Sequence, residues 1–171
     1  MGECYQYGLG IEINKIRAFK WYEKSARKEH IDAQNNLGAF YENGIGIEKD
    51  LVKAFYWYQK VAENGNKDAQ FSLGKCYQYG LGVEINKAKS FEFYVKSAKQ
   101  NYNNAQNNLG TFYENGIGIE KDLEKAFYWY QKAAENENKD ALFNLDKCYQ
   151  YGLGIEKDEV KAFKWYEISA K

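Results

Sequence analysis

Two stretches carry the Ser-x-x-Lys spacing, Ser25-Ala-Arg-Lys28 and Ser72-Leu-Gly-Lys75. A lysine at that distance could take the serine's proton and leave an acylating oxygen. Neither is joined by a Lys-Thr-Gly or a Ser-Asp-Asn, and so short a pattern arises by chance in a lysine-rich chain. His30 is the only histidine, and its nearest acids, Glu29 and Asp32, are neighbours on a turn rather than an assembled base or ligand set. Gly-x-Gly doublets such as Gly44/Gly46 lack a third glycine and follow a helical pattern instead of a strand, so they fail as dinucleotide-binding turns. Acid pairs such as Glu48 and Asp50 return with a fixed period, which structure explains. These residues predict no enzyme: no catalytic residue, no cofactor and no metal.

Bulk composition narrows the partners. Lys plus Arg equals Asp plus Glu, 24 each, and no basic stripe stands out. A protein that neutralises phosphates needs such an excess, so nucleic acid is not expected. No apolar run reaches the roughly 18–20 residues that span a bilayer, and no basic segment leads into an apolar one at the N-terminus. No membrane association and no secretory signal are expected from the residues given. Proline is absent, and aromatic residues make up 18% of the chain. The first removes the strongest helix breaker; the second supplies ring surface for a core.

What positions these residues is a repeat. Gly-x-Gly recurs at Gly8/Gly10, Gly44/Gly46, Gly80/Gly82, Gly116/Gly118 and Gly152/Gly154, 36 residues apart each time (44 − 8, 80 − 44 and so on). An aromatic pair keeps the same period: Trp21-Tyr22, Trp57-Tyr58, Phe93-Tyr94, Trp129-Tyr130 and Trp165-Tyr166. Each unit reads as two helices. The first spans roughly Asp32 to Asn43, with Ala33, Leu37, Phe40 and Tyr41 as its inward stripe, and stops at Gly44. The second spans roughly Leu51 to Asn64, capped by Asp50 and facing inward through Ala54, Tyr58, Val61 and Ala62. Equivalent caps are Asn14, Asn86, Asp122 and Asp158. Ile47 is expected to plug the hairpin, as are Ile11, Val83, Ile119 and Ile155. Gly38, Gly74 and Gly110 fall mid-helix, where close helix approach would offset their cost. Asp146 takes the fourth such place and predicts a looser contact or a side chain turned to solvent. One helix pair cannot bury both faces, so successive pairs must stack.

The pattern Ala-x-x-x-Leu-Gly-x-x-Tyr-x-x-Gly-x-Gly-Ile-x-x-Asp-x-x-Lys-Ala-x-x-Trp-Tyr-x-Lys-Ala-Ala, nearly complete from Ala105 to Ala134, resembles the Sel1-like repeat, a cousin of the tetratricopeptide repeat. The resemblance covers essentially the whole chain. It implies an all-α, right-handed α-solenoid of stacked antiparallel helix pairs, with about four and a half to five copies. The pairs lie near 1–28, 31–64, 67–100, 103–136 and 139–171, as one domain. Departures are Asp146 for Gly, Phe93 for Trp, Ser90 for Ala, and Glu29, Asn101 and Glu137 where Gly65 shows the usual turn glycine; the last three put the inter-repeat turn in doubt. Met1-Gly2 align with Leu37-Gly38 and the chain closes at Lys171 in or just after a second helix, which points to a segment of a longer array.

The cysteines, at 4, 76 and 148, are 72 apart, two repeats. Tyr41–Gly82 matches Tyr113–Gly154 over 42 positions with six differences, Val52/Glu124, Val61/Ala133, Gly65/Glu137, Gln70/Leu142, Ser72/Asn144 and Gly74/Asp146, and duplication of a two-repeat block accounts for this. Residues two repeats apart should lie about 20 Å from each other at 8–10 Å per helix layer, too far for a disulfide. Cys76 and Cys148 stand where Phe40 and Phe112 stand, so they read as core. Some bacterial Sel1-like proteins pair cysteines within each repeat; their absence here points to a reducing compartment, the cytoplasm.

For partners, the resemblance implies a concave face lined by the first helix of each pair, binding a peptide or a helix of another protein. The helical wheel places Asn35 and Glu42 there, then Phe71, Lys75, Gln78 and Tyr79, then Asn107, Thr111 and Glu114, then Phe143, Lys147, Gln150 and Tyr151. Phe71 and Phe143 are either exposed anchors or inter-repeat core. Family members act as scaffolds or adaptors in signalling and complex assembly, in endoplasmic-reticulum-associated degradation and in chitin-synthase regulation. Some stand beside a protein kinase domain, so flanking repeats or a kinase are possible companions. The competing implication is a hydrolase of the β-lactamase-like kind attributed to cysteine-rich bacterial relatives.

Overall fold

The computed structural model describes residues 1–10 and 12–169, and these hold ten helices and no strand. In chain order they are α1 (Gly2–Tyr7), α2 (Lys15–Ala26), α3 (Ile31–Asn43), α4 (Leu51–Ala62), α5 (Lys67–Tyr79), α6 (Lys87–Ala98), α7 (Asn103–Asn115), α8 (Leu123–Glu135), α9 (Lys139–Tyr151) and α10 (Glu159–Ser169). The chain forms two compact units, Met1–Asn86 and Lys87–Lys171. In the first, each of α1 to α4 packs on the next helix; in the second, each of α6 to α9 does. The expected stripes are the cores, except that Tyr41 is only half-buried. Ala33, Leu37 and Phe40 of α3 and Ala54, Tyr58, Val61 and Ala62 of α4 are all buried, as are Cys76 and Cys148.

The second helices start where a short polar side chain replaces the missing carbonyl partner. Asn14, Asp50, Asp122 and Asp158 each accept from the backbone N–H three residues on, at 2.9 Å. The first helices end at glycines in the left-handed region, Gly44 at φ 66° among them. The second glycine of each doublet serves a different purpose. A Cβ at Gly46, Gly82 or Gly154 would overlap the carbonyl of Lys15, Leu51 or Leu123, so each hairpin loop lies directly on the start of the preceding second helix.

Between repeats the turn is kept at every junction. Glu29, Asn101 and Glu137 take φ of 63°, 58° and 59°, beside 80° at Gly65. The glycine is therefore dispensable to the geometry, although a side chain in this region is strained by roughly 1–2 kcal/mol.

Mid-helix glycines do admit a close approach. A Cβ on Gly38 would lie 2.7 Å from the Tyr58 ring, and one on Gly110 2.6 Å from Tyr130. Where Asp146 replaces glycine, the corresponding Tyr166 is 56% exposed, whereas Tyr22, Tyr58, Tyr94 and Tyr130 are buried. A cavity of about 560 Å³ opens there, lined by Asp146, Gln150, Tyr151, Ala162, Phe163 and Tyr166 among others.

The expected hairpin plug is off by two residues. Ile47 and Ile155 are each 39% exposed, and Val83 and Ile119 are half-buried. Instead the residue inside the doublet packs inward: Ile45 against the α2–α3 core, Leu153 against Ala126, Tyr130 and Cys148. The αL turn at Gly44 aims the next side chain back over the helix it has just ended. Ile11 and Lys171 lie outside the described residues.

Candidate functional site: the surface of the first helices

Four first helices, α3, α5, α7 and α9, carry every predicted site residue. On α3, Glu42 is half-buried and its carboxylate accepts from Tyr58 Oη at 2.5 Å and from Lys75 Nζ, on α5, at 3.3 Å. On α5, Lys75 also lies 5.9 Å from the Phe71 ring centroid. Phe71 and Gln78 are half-buried, and Tyr79 is 60% exposed.

The second unit repeats this with changes. On α7, Glu114 accepts from Tyr130 Oη at 2.5 Å, and the Thr111 hydroxyl lies 3.3 Å from the same oxygen. Asn107, a candidate on the wheel, is only 8% exposed, and its Oδ1 accepts from Asn144 Nδ2 at 3.0 Å. On α9, Phe143 is 50% and Tyr151 65% exposed, and Gln150 is exposed. Lys147 is half-buried, its ammonium 4.5 Å from the Phe143 centroid. The open choice over the phenylalanines thus splits: Phe143 faces solvent, while Phe71 is partly covered.

Asn35, equivalent to Asn107, is half-buried, and its Oδ1 has no hydrogen-bond partner. Two helices on, in α5, Ser72 stands where α9 carries Asn144. One of the six block differences thus removes an amide donor from this surface.

The sequence reading missed a polar staple under the same surface. Gln34, Gln70 and Gln106 are buried and donate to the carbonyls of Ala26, Ala62 and Ala98, at 3.1, 3.4 and 3.3 Å. Each ties a first helix to the end of the helix before it. The signal was available, a glutamine every 36 residues directly after the inward alanine at 34, 70 and 106, with Leu142 at the fourth such place.

Two thiols and two phenol hydroxyls beneath this surface are held in their protonated forms. Burial pushes the thiols of Cys76 and Cys148 up to about 12. Burial, then the hydrogen bond to Glu42 or Glu114, raises the hydroxyls of Tyr58 and Tyr130. At neutral pH these thiols are protonated and are poor nucleophiles. All three cysteines are free. His30 is exposed and caps α3 without a side-chain hydrogen bond. Among the described residues, no group of three or more His, Cys, Asp or Glu could hold a metal ion. Among the same described residues, no helix is long and apolar enough to cross a membrane.

Stacked helix pairs, locked by a tyrosine on a glycine and repeated at 36 residues, define an α-solenoid repeat protein. The chain belongs to the Sel1 repeat family: the family model matches residues 1–30, 31–66, 67–102, 103–138 and 139–171. Among solved structures it is similar to a Sel1 repeat protein from Oxalobacter formigenes, at 37% identity and TM-score 0.89, over 99% of this chain and 70% of that one. It is also similar to c5321, a protective antigen of uropathogenic Escherichia coli strains with an SLR fold, at 31% identity and TM-score 0.93. There it covers 99% of this chain but spans 36% of the other. Helicobacter pylori cysteine rich protein B matches at 35% identity and TM-score 0.56, over 71% of this chain and 87% of that one. Comparison with curated proteins gives no match. Sel1 repeat proteins are in general non-catalytic protein-interaction scaffolds.

Proposed function

We propose that this chain is a non-catalytic adaptor that binds a peptide or helix of another protein on the surface formed by its first helices, in signalling or complex assembly. The observation that carries this is Phe143. It is half exposed on a regular helix, with Lys147 over its ring and Tyr151 two turns further along the same face. A helix that needs only to pack has no use for a solvated phenylalanine there, whereas an anchor for a partner does. The buried, protonated thiols and the isolated His30 add support from the other side, since neither offers a nucleophile or a paired base.

The test is binding against stability. Partners captured on the intact chain are identified by mass spectrometry, and their affinity is compared for the parent and Phe143→Ala. Affinity should fall by about 1–3 kcal/mol, as for a central aromatic anchor. The melting temperature should stay nearly unchanged. Phe71→Ala, at a partly covered ring, should lower both. A large thermal loss in Phe143→Ala with affinity retained would make that ring core rather than anchor.

A further inference from the structure

The two units carry the same nonapeptide frame, Phe-x-x-x-Lys-x-x-x-Tyr, on α5 (Phe71, Lys75, Tyr79) and on α9 (Phe143, Lys147, Tyr151). Spacing of four places the three side chains on one helix face, with the outer two roughly 12 Å apart along the axis. The lysines differ in what they do. Lys75 is spent within the chain, its ammonium 3.3 Å from the Glu42 carboxylate. Lys147 makes no ion pair among the described residues; its ammonium sits 4.5 Å over the Phe143 ring. The equivalent acid, Glu114, is held by Tyr130 just as Glu42 is held by Tyr58, but it forms no ion pair with Lys147. Both outer rings of the α9 stripe are at least half exposed.

We infer that the α9 stripe recognises a partner segment that carries a carboxylate between two apolar side chains. The Lys147 ammonium takes the carboxylate, and the Phe143 and Tyr151 rings take the flanking apolar groups. A cation parked on an aromatic face is already partly desolvated and positioned, so pairing it costs less ordering than pairing a free lysine. The α5 stripe, its charge already neutralised by Glu42, offers the same apolar spacing without a demand for an acid. Specificity between the two stripes then comes from one internal ion pair.

This rests on the reading of the first-helix surface as a partner site, and the experiment separates the two. Randomised peptides of about 12 residues, displayed on phage and long enough to span the stripe, are selected on the intact chain and on Phe143→Ala, Lys147→Glu, Lys147→Gln and Lys75→Glu variants with helical circular dichroism confirmed. Selection on the parent should enrich an acidic residue between two apolar ones. By fluorescence polarisation such a peptide should bind the parent about tenfold tighter than Lys147→Gln, with the gap closing as salt rises. Lys147→Glu should enrich basic residues at that place, and Lys75→Glu should leave the acidic consensus in force. Peptides that depend on Phe143 but carry no acid and bind Lys147→Gln equally would overturn the carboxylate assignment while leaving the surface in place. Failure to enrich any peptide that depends on Phe143 would overturn the surface reading and this inference with it.

Discussion

Asn35 and its equivalent Asn107 differ in the fate of a single atom. The Oδ1 of Asn35 is buried without a donor, whereas that of Asn107 receives the amide of Asn144. An unpaired buried acceptor costs its lost hydration, and a paired one returns about 1 kcal/mol. Asn35→Leu is therefore expected to leave urea-melt stability unchanged or slightly raised. Asn107→Leu, which strands Asn144, should cost about 1–2 kcal/mol. Equal losses in both would show that Asn35 is satisfied in solution. This difference was visible in the sequence only as Ser72 against Asn144, two unremarkable polar residues. Its meaning required knowing that the preceding first helix lies within reach.

Helices and turns were the most legible scale. Alternation of small, aromatic and capping residues at a 36-residue period located the pairs to within a residue or two. Caps at Asp50 and Asp122 follow directly from side chains that mimic a carbonyl. Ile47 was misjudged because apolar character says that a loop residue can be buried but not which way a left-handed turn aims it. The buried glutamines escaped because a polar residue beside an inward stripe reads as solvent-facing until its carbonyl partner is seen. At the junctions, Glu29, Asn101 and Glu137 bear a strain that Gly65 does not. Glu137→Gly should therefore stabilise the chain by up to about 1 kcal/mol, the relief of left-handed strain less the added freedom of the unfolded chain. Denaturant unfolding measures it, and a loss instead would mean that the Glu137 side chain holds the turn.

At the scale of the whole molecule, stability is held in many similar small contacts rather than in one large core. The tyrosine that docks on a mid-helix glycine recurs down the chain, and in Tyr58 and Tyr130 its hydroxyl is hydrogen-bonded to a carboxylate. That lock has an optical and alkaline consequence. Tyr79 and Tyr128, by contrast, stand exposed to solvent. Burial raises Tyr22 to about 12, and burial with the carboxylate bond raises Tyr58 and Tyr130 further. The unfolded chain then releases protons that the folded chain retains. The stability these hydroxyls contribute is complete below about pH 10 and drains away as pH climbs through their folded values. Phenolate absorbance followed on a rising pH ramp should therefore show a gradual first phase with helical dichroism intact, then an abrupt second phase that coincides with loss of helix. A single smooth phase with the helices retained would mean that the locks open to hydroxide freely. The protein thus reports the failure of its own joints as a change in ultraviolet colour.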